Sequence, residues 1–335
     1  MSEMQGAIVS LRELREEYET KSLSPRATKS IETRGRKFPA EKCCVRTDFQ
    51  KDRDRITHCK AFRRLMHKTQ VFISPERDHY RTRLTHTLEV AQISRTVARA
   101  LALNEDLTEA IALGHDLGHT PYGHTGEDAL NGLLEGGFRH NEQSVRVVET
   151  LENLNLTYEV IDGILNHRTV CRPATPEGRV VQLCDKIAYM NHDVDDAIRA
   201  RLLTEADLPA VVSSTLGTSP GKRIDTLVRN LIEQSLSHTE IELSPEISDC
   251  LKIFRTFMFE RVYAHQLHAA ERAKIKTMLR LMYEYFLQNP TKLPQEIVEN
   301  AAPLDISIAD YIAGMTDRFA QKRFREIFMP SAWEI

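Results

Sequence analysis

The chain has 335 residues, room for one large unit or two smaller ones, with 41% hydrophobic and 28% charged side chains. A formal net charge of −3 excludes a uniformly basic nucleic-acid coat protein, and no apolar window reaches the length of a membrane span. The six cysteines (Cys43, Cys44, Cys59, Cys171, Cys184 and Cys250) show no CxxC or zinc-ribbon spacing and read as reduced thiols of a cytoplasmic protein.

Residues 7–19 carry Ile8, Leu11, Leu14 and Tyr18 on a weak helical stripe. From about 20 to 47, Pro25, Gly35 and Pro39 stand among lysines and arginines and predict a loop or mobile arm. From Phe49 onward the periodicity is helical. Leu88, Ala91, Ile93, Val97, Ala98 and Leu101 fit a 3.6-residue repeat. Similar stripes recur at about 107–114, 125–135, 141–152, 157–166, 177–201, 221–237, 244–270, 270–288 and 306–323. Strand-like alternation is nearly absent, so the predicted fold class is all-α, with one small β-hairpin near Val71–Tyr80. Gly217 to Lys222 is the best internal break. No GxxxxGK[ST] loop and no glycine fingerprint after a strand occurs.

The chemistry concentrates between Arg83 and Asp193. His86 opens a long amphipathic segment, and His115-Asp116 closes a short apolar one inside LGHDLGHTPYGHTGED. Adjacent helical residues point about 100° apart, so His115 and Asp116 reach one ion only near a helix end, which Gly114, Gly118 and Pro121 supply. Thr125 with Asp128 resembles a capping box that would put His124 just before the next helix and Glu127 in its first turn. Asp185, Tyr189 and Asp193 fall at i, i+4 and i+8 beside Lys186, a polar stripe in an apolar setting. Each residue alone has an ordinary structural explanation. Five of thirteen histidines between His86 and His140, beside the right acids, together point to a divalent-metal site. His167 and His192 are secondary candidates.

These residues resemble the HD superfamily of phosphohydrolases, in its deoxyguanosine triphosphate triphosphohydrolase-like branch. The H…HD…D signature matches His86, His115, Asp116 and Asp185. Further blocks similar to that branch are DRDRITHCKAFRRLMHKTQVF from Asp52, HDLGHTPYGHTGED from His115, DKIAYMNHD from Asp185 and DYIAGMTDRF from Asp310. The likeness runs from about Arg46 to Phe328 and implies an HD-domain helical architecture. It divides the chain into an N-terminal segment and basic arm (1–45), a phosphohydrolase core (46–215) and a C-terminal helical region (216–335) bearing oligomer contacts. It implies that His86, His115, Asp116 and Asp185 bind the metal and that His124 and Glu127 form the catalytic pair. By the same likeness Arg83, His119, His140 and Lys186 contact the triphosphate, while Tyr189, Asp193 and Gln70 lie by the sugar and base.

The implied reaction converts a deoxynucleoside triphosphate to a deoxynucleoside and tripolyphosphate. The mixed two-His, two-Asp set suits Mn²⁺ or Mg²⁺, with Fe²⁺, Ni²⁺ and Zn²⁺ as alternatives. The resemblance also implies a homo-oligomer and, in some members, a dNTP activator. Two rival readings stand beside it. One is a phosphohydrolase of a nucleoside monophosphate, cyclic dinucleotide or alarmone. The other is a non-catalytic nucleotide or single-stranded DNA binder, drawing on Arg34, Arg36, Lys37, Lys42 and Arg46.

Overall fold

A computed structural model describes residues 2–70, 81–263, 266–299 and 302–330. The described residues hold sixteen α-helices and no strand, as the all-α reading expects. In chain order they are α1 (Ser2–Ser22), α2 (Asp48–His58), α3 (Lys60–Arg64), α4 (Arg83–Ala100), α5 (Glu105–Gly114), α6 (His124–Asn131), α7 (His140–Arg146) and α8 (Tyr158–Asn166). There follow α9 (Pro176–Arg199), α10 (Ala210–Leu216), α11 (Pro220–Ser237), α12 (Pro245–Met258), α13 (Gln266–Gln288), α14 (Gln295–Val298), α15 (Leu304–Ala313) and α16 (Asp317–Phe328). The hairpin expected near Val71–Tyr80 lies outside the described residues. None of the described helices is long and apolar enough to cross a membrane.

Two compact units are assembled from separated segments. The first takes Met1–Cys59, His86–His115 and Leu154–Ala264; the second takes Lys60–Thr85, Asp116–Asn153 and His265–Ile335.

In the first unit α5 is buried from Leu107 to Leu113 save for Glu109, because its sequence is apolar almost all round. It packs against α2, α8 and α9. Asn104 caps its start by accepting from the Leu107 amide at 3.1 Å. Thr47 and Gln50 form a capping box on α2, and Thr175 with Pro176 starts α9. Two glycines let α5 and α8 approach closely. A Cβ at Gly114 would lie 2.5 Å from Ile164 Cδ1, and one at Gly163 would lie 2.5 Å from Ile111 Cδ1. At the break expected over Gly217–Lys222, Gly217 (φ 111°) closes α10 and Ser219 caps α11, and both helices lie within the first unit. The stripe read as 244–270 ends its α-helical part at Met258 and continues as a π-helical turn, Phe259–Tyr263.

The stretch expected as a loop or mobile arm is largely loop, tied down by buried carboxylates. Arg36 pairs with Asp52 and with Asp48 at 3.0 Å. Glu159 accepts from the Thr33 hydroxyl at 2.8 Å and the Arg34 amide at 2.7 Å, and Arg34 lies over the Tyr158 ring. Glu177 accepts from the Thr28 and Asn104 amides at 3.0 and 3.1 Å. A buried carboxylate demands donors, and this segment supplies them. Composition alone gave no sign of that demand.

The second unit has a core built from α6, α13, α15 and α16, with Leu130, Leu279, Met282, Phe286, Ile308 and Ile312 at its centre. The stripe read as one helix over 306–323 is two: α15 gives way at Gly314, and Thr316 caps α16 by accepting from the Phe319 amide at 3.3 Å.

Candidate functional site

In the first unit, α5 ends with His115 as its C-cap. Its Nδ1–H donates to the Ala112 carbonyl at 2.7 Å, which makes Nε2 the nitrogen that could hold a cation. His86 projects from the first turn of α4, and Asp185 from the middle of α9. The Asp185 Oδ1 lies 3.0 Å from His86 Nε2 and 3.9 Å from His115 Nε2. One ligand atom from each of the three lies within 4.8 Å of the others. Both imidazoles are buried, while the Asp185 side chain is 21% exposed. Two imidazoles and a half-open carboxylate form a donor set that fits a divalent cation.

Two more histidines surround it. α8 ends as α5 does, with the His167 Nδ1–H donating to the Ile164 carbonyl at 2.7 Å, and its ring sits 5.1 Å from that of His115. The His192 ring is 6.3 Å from His86, and its Nδ1 is 3.0 Å from Glu89. Lys186, Tyr189 and Asp193 follow along α9. Burial first, then Arg255 and Lys252, pulls the Lys186 ammonium below its ordinary pKa. Burial, then Asp185, pushes the Tyr189 phenol up to about 12. Asp193 is buried and accepts from the Tyr263 hydroxyl at the end of the π-helical turn. Sequence reading missed Tyr263, because nothing within its own stretch links it to a carboxylate seventy residues earlier.

The second unit gathers the remaining candidates around the starts of α6 and α7. Asp116 Oδ2 accepts from Arg83 Nη1 at 2.6 Å, and its Oδ1 lies 3.5 Å from His119 Nε2. The His124 Nδ1 is 3.1 Å from Glu127 Oε2, and the His140 Nδ1 is 2.9 Å from Glu127 Oε1. The same Oε1 accepts from the His140 amide at 3.0 Å. Burial alone would raise the Glu127 carboxyl, but the hydrogen bonds with His124 and His140 outweigh it and hold the group well below the carboxylate range. His119 is stacked on His140 at 4.0 Å, and burial, then Arg83 and His140, keeps its imidazole well below its usual pKa. The His124 side chain is 75% exposed. Gln70 is half-buried, with its backbone carbonyl beside Gly123.

His119, His124, Glu127 and His140 also bring ligand atoms within 4.8 Å of one another. Parallel stacked imidazoles direct their lone pairs side by side rather than to a point, and both Glu127 oxygens already accept. This second group is therefore suited to moving protons and meeting anions. One local expectation fails. α6 begins at His124 behind Gly123, with no Thr125–Asp128 box, because the backbone turns through left-handed Tyr122 (φ 61°) and Gly123 (φ 55°) and the helix starts two residues earlier than a Thr125 cap would start it.

Residues 83–190 match the HD domain, and residues 241–326 match a phosphohydrolase-associated domain. A deoxyguanosinetriphosphate triphosphohydrolase-like protein of Caldanaerobacter subterraneus subsp. tengcongensis is 60% identical over 329 residues, covering 96% of this chain and 97% of that protein. A protein of the same description from Clostridium tetani is 47% identical, covering 96% and 97%. One from Desulfatibacillum aliphaticivorans is 45% identical, covering 96% and 99%.

Proposed function

This chain belongs to the HD-domain family of deoxyguanosinetriphosphate triphosphohydrolase-like proteins, and we propose that it hydrolyses deoxynucleoside triphosphates to a deoxynucleoside and tripolyphosphate. The observation that carries this reading is the convergence of His86, His115 and Asp185 on one point. Asp116, which follows His115 directly in the chain, is the fourth ligand of the proposed set. When bound, a divalent cation, Mn²⁺ or Mg²⁺ first, supplies Lewis acidity toward the α-phosphate and water.

The chain's own residues do the rest. Water attacks the α-phosphorus, the bond from that phosphorus to the 5′-oxygen breaks, and the leaving oxygen takes a proton. His124, oriented by Glu127, holds that proton at Nε2; its Nδ1 is committed to the carboxylate. Arg83, His119, His140 and Lys186 offset triphosphate charge. Tyr189, Asp193 and Gln70 meet the sugar and base, where an aromatic ring discriminates against a 2′-hydroxyl. The protein acts in the cytoplasm as a homo-oligomer, with a dNTP activator as a further ligand.

A single-stranded DNA role has less support, since Arg36 and Arg46 are engaged by Asp52 and Asp54. The test is a panel of the four dNTPs, alone and mixed, with Mn²⁺ and with Mg²⁺, reading tripolyphosphate. Release of pyrophosphate or single phosphate instead, or hydrolysis only of monophosphates or cyclic dinucleotides, overturns the reading.

A further inference from the structure

The block DYIAGMTDRF was set apart by the sequence, yet none of its residues enters the proposed chemistry. Its two aspartates are both buried, at 3% exposure each, and both are spent on the segments that carry the histidine–carboxylate group. Asp317 Oδ1 accepts from the Tyr122 amide at 2.9 Å, and the Tyr122 hydroxyl donates to the Asp317 carbonyl at 3.1 Å. Its Oδ2 accepts from the amide of Thr69 at 2.9 Å and from that residue's hydroxyl. Asp310 accepts from Gln143 Nε2 at 2.8 Å and takes a two-point contact from Arg146, at 2.8 and 2.7 Å. Between the two, the Ala313 carbonyl accepts from Lys68 Nζ at 2.9 Å, and the same nitrogen donates to the His119 carbonyl.

These bonds fall where local structure cannot hold itself. α6 has no side-chain cap, and its entry passes through Tyr122 at φ 61°, a conformation that costs a non-glycine residue on the order of 1 kcal/mol or more. The Asp317 carboxylate anchors that strained residue two positions before His124. α7 lacks a side-chain cap at Arg139; its first amide is taken by Glu127, and Asp310 grips the helix at Gln143 and at its last residue, Arg146. Glu127 then has to meet His124 and His140 at once.

We propose that Asp317 and Asp310 are positioning residues, Asp317 fixing the entry to α6 and Asp310 the body and end of α7, so that Glu127 orients both imidazoles together. This rests on the proposed hydrolysis only for its kinetic readout; the imidazole readout stands without it.

Asp317→Asn keeps the shape but gives a donor where either Thr69 or Tyr122 needs an acceptor, and Asp310→Asn breaks the two-point contact with Arg146. The imidazole N–H signals of His124 and His140 are recorded by ¹H–¹⁵N NMR on nucleotide-free protein, and kcat and KM are measured at equal folded concentration. Asp317→Asn should shift or broaden the His124 signal and lower kcat about 10–100-fold with KM within about three-fold, as loss of orientation predicts. Asp310→Asn should act first on the His140 signal. If Asp317→Asn does not fold, Asp310→Asn decides. Should a folded variant keep both signals in place and kcat within two-fold of the parent, the aspartates serve stability alone and the proposal falls. Moved signals in a chain that hydrolyses no dNTP would leave the positioning role standing and remove the proposed reaction.

Discussion

Glu127 is the side chain that joins His124 and His140 in the second unit. It is buried yet held ionised by two imidazoles, and only one of these, His124, is largely open to solvent. An exposed imidazole whose inner nitrogen is fixed is placed to give a proton outward. His124→Ala should therefore lower kcat by about 10²–10⁴-fold while metal content stays that of the parent; kcat within a few-fold of the parent would show that another group supplies the proton. Lys68 is buried by its two carbonyl partners, which is as many as a neutral amine has donors. Burial first, then Arg64 and Arg83, brings it down to about 7. The unfolded chain binds this proton up to about pH 10.4, so between roughly pH 7 and 10 the unfolded state holds more protons and the folded state gains stability as pH rises. Urea unfolding of the parent and of Lys68→Met across pH 6.5–9 should show the parent gaining on the variant with increasing pH. Parallel curves would mean the buried amine stays charged throughout.

Helices α5 and α8 pack together by an exchange of glycine for isoleucine, which sets the ends on which His115 and His167 sit. Gly114 makes room for Ile164 and Gly163 for Ile111, and each helix then ends on a histidine whose Nδ1 is tied three residues back. In Gly163→Ala the new methyl would lie 2.5–2.8 Å from three Ile111 side-chain carbons. Overpacking of this kind costs about 1–3 kcal/mol, against a gain of about 0.5–1 kcal/mol for replacing a helical glycine. Net destabilisation should appear as a melting temperature lower by a few degrees, and an unchanged or higher one would show that the helices can part without cost. The apolar periodicity of α5, α8 and α9 was readable in the sequence, as was the helix end at His115, because both follow from short-range repeats. What escaped were partnerships across long separations: Asp52 with Arg36 and Thr157, Asp193 with Tyr263, Asp317 with Thr69 and Tyr122. A carboxylate in a stripe looks the same whether solvent or a distant donor satisfies it. The break at Gly314 was missed for a related reason, since the apolar spacing continues across it while the backbone does not.

Across the chain, formal net charge is close to neutral, so affinity for anions has to be local rather than a property of the whole surface. The three candidate ligands of the first unit come from α4, α5 and α9, and a cation held by all three ties together segments about thirty to one hundred residues apart in sequence. A ligand that binds only the folded chain stabilises it by RT ln(1 + [L]/Kd), about 2.7 kcal/mol at a hundred-fold excess over Kd. Mn²⁺ added to chelator-treated protein should thus raise the melting temperature by several degrees. His115→Ala, Asp116→Ala and Asp185→Ala should each lose that rise, because each removes one donor of the proposed set, whereas His124→Ala should keep it. The comparison separates binding from turnover, since no nucleotide is present. A rise that persists in His115→Ala but vanishes in His124→Ala would move the cation to the histidine–carboxylate group of the second unit. The roles assigned to the two clusters would then have to be exchanged.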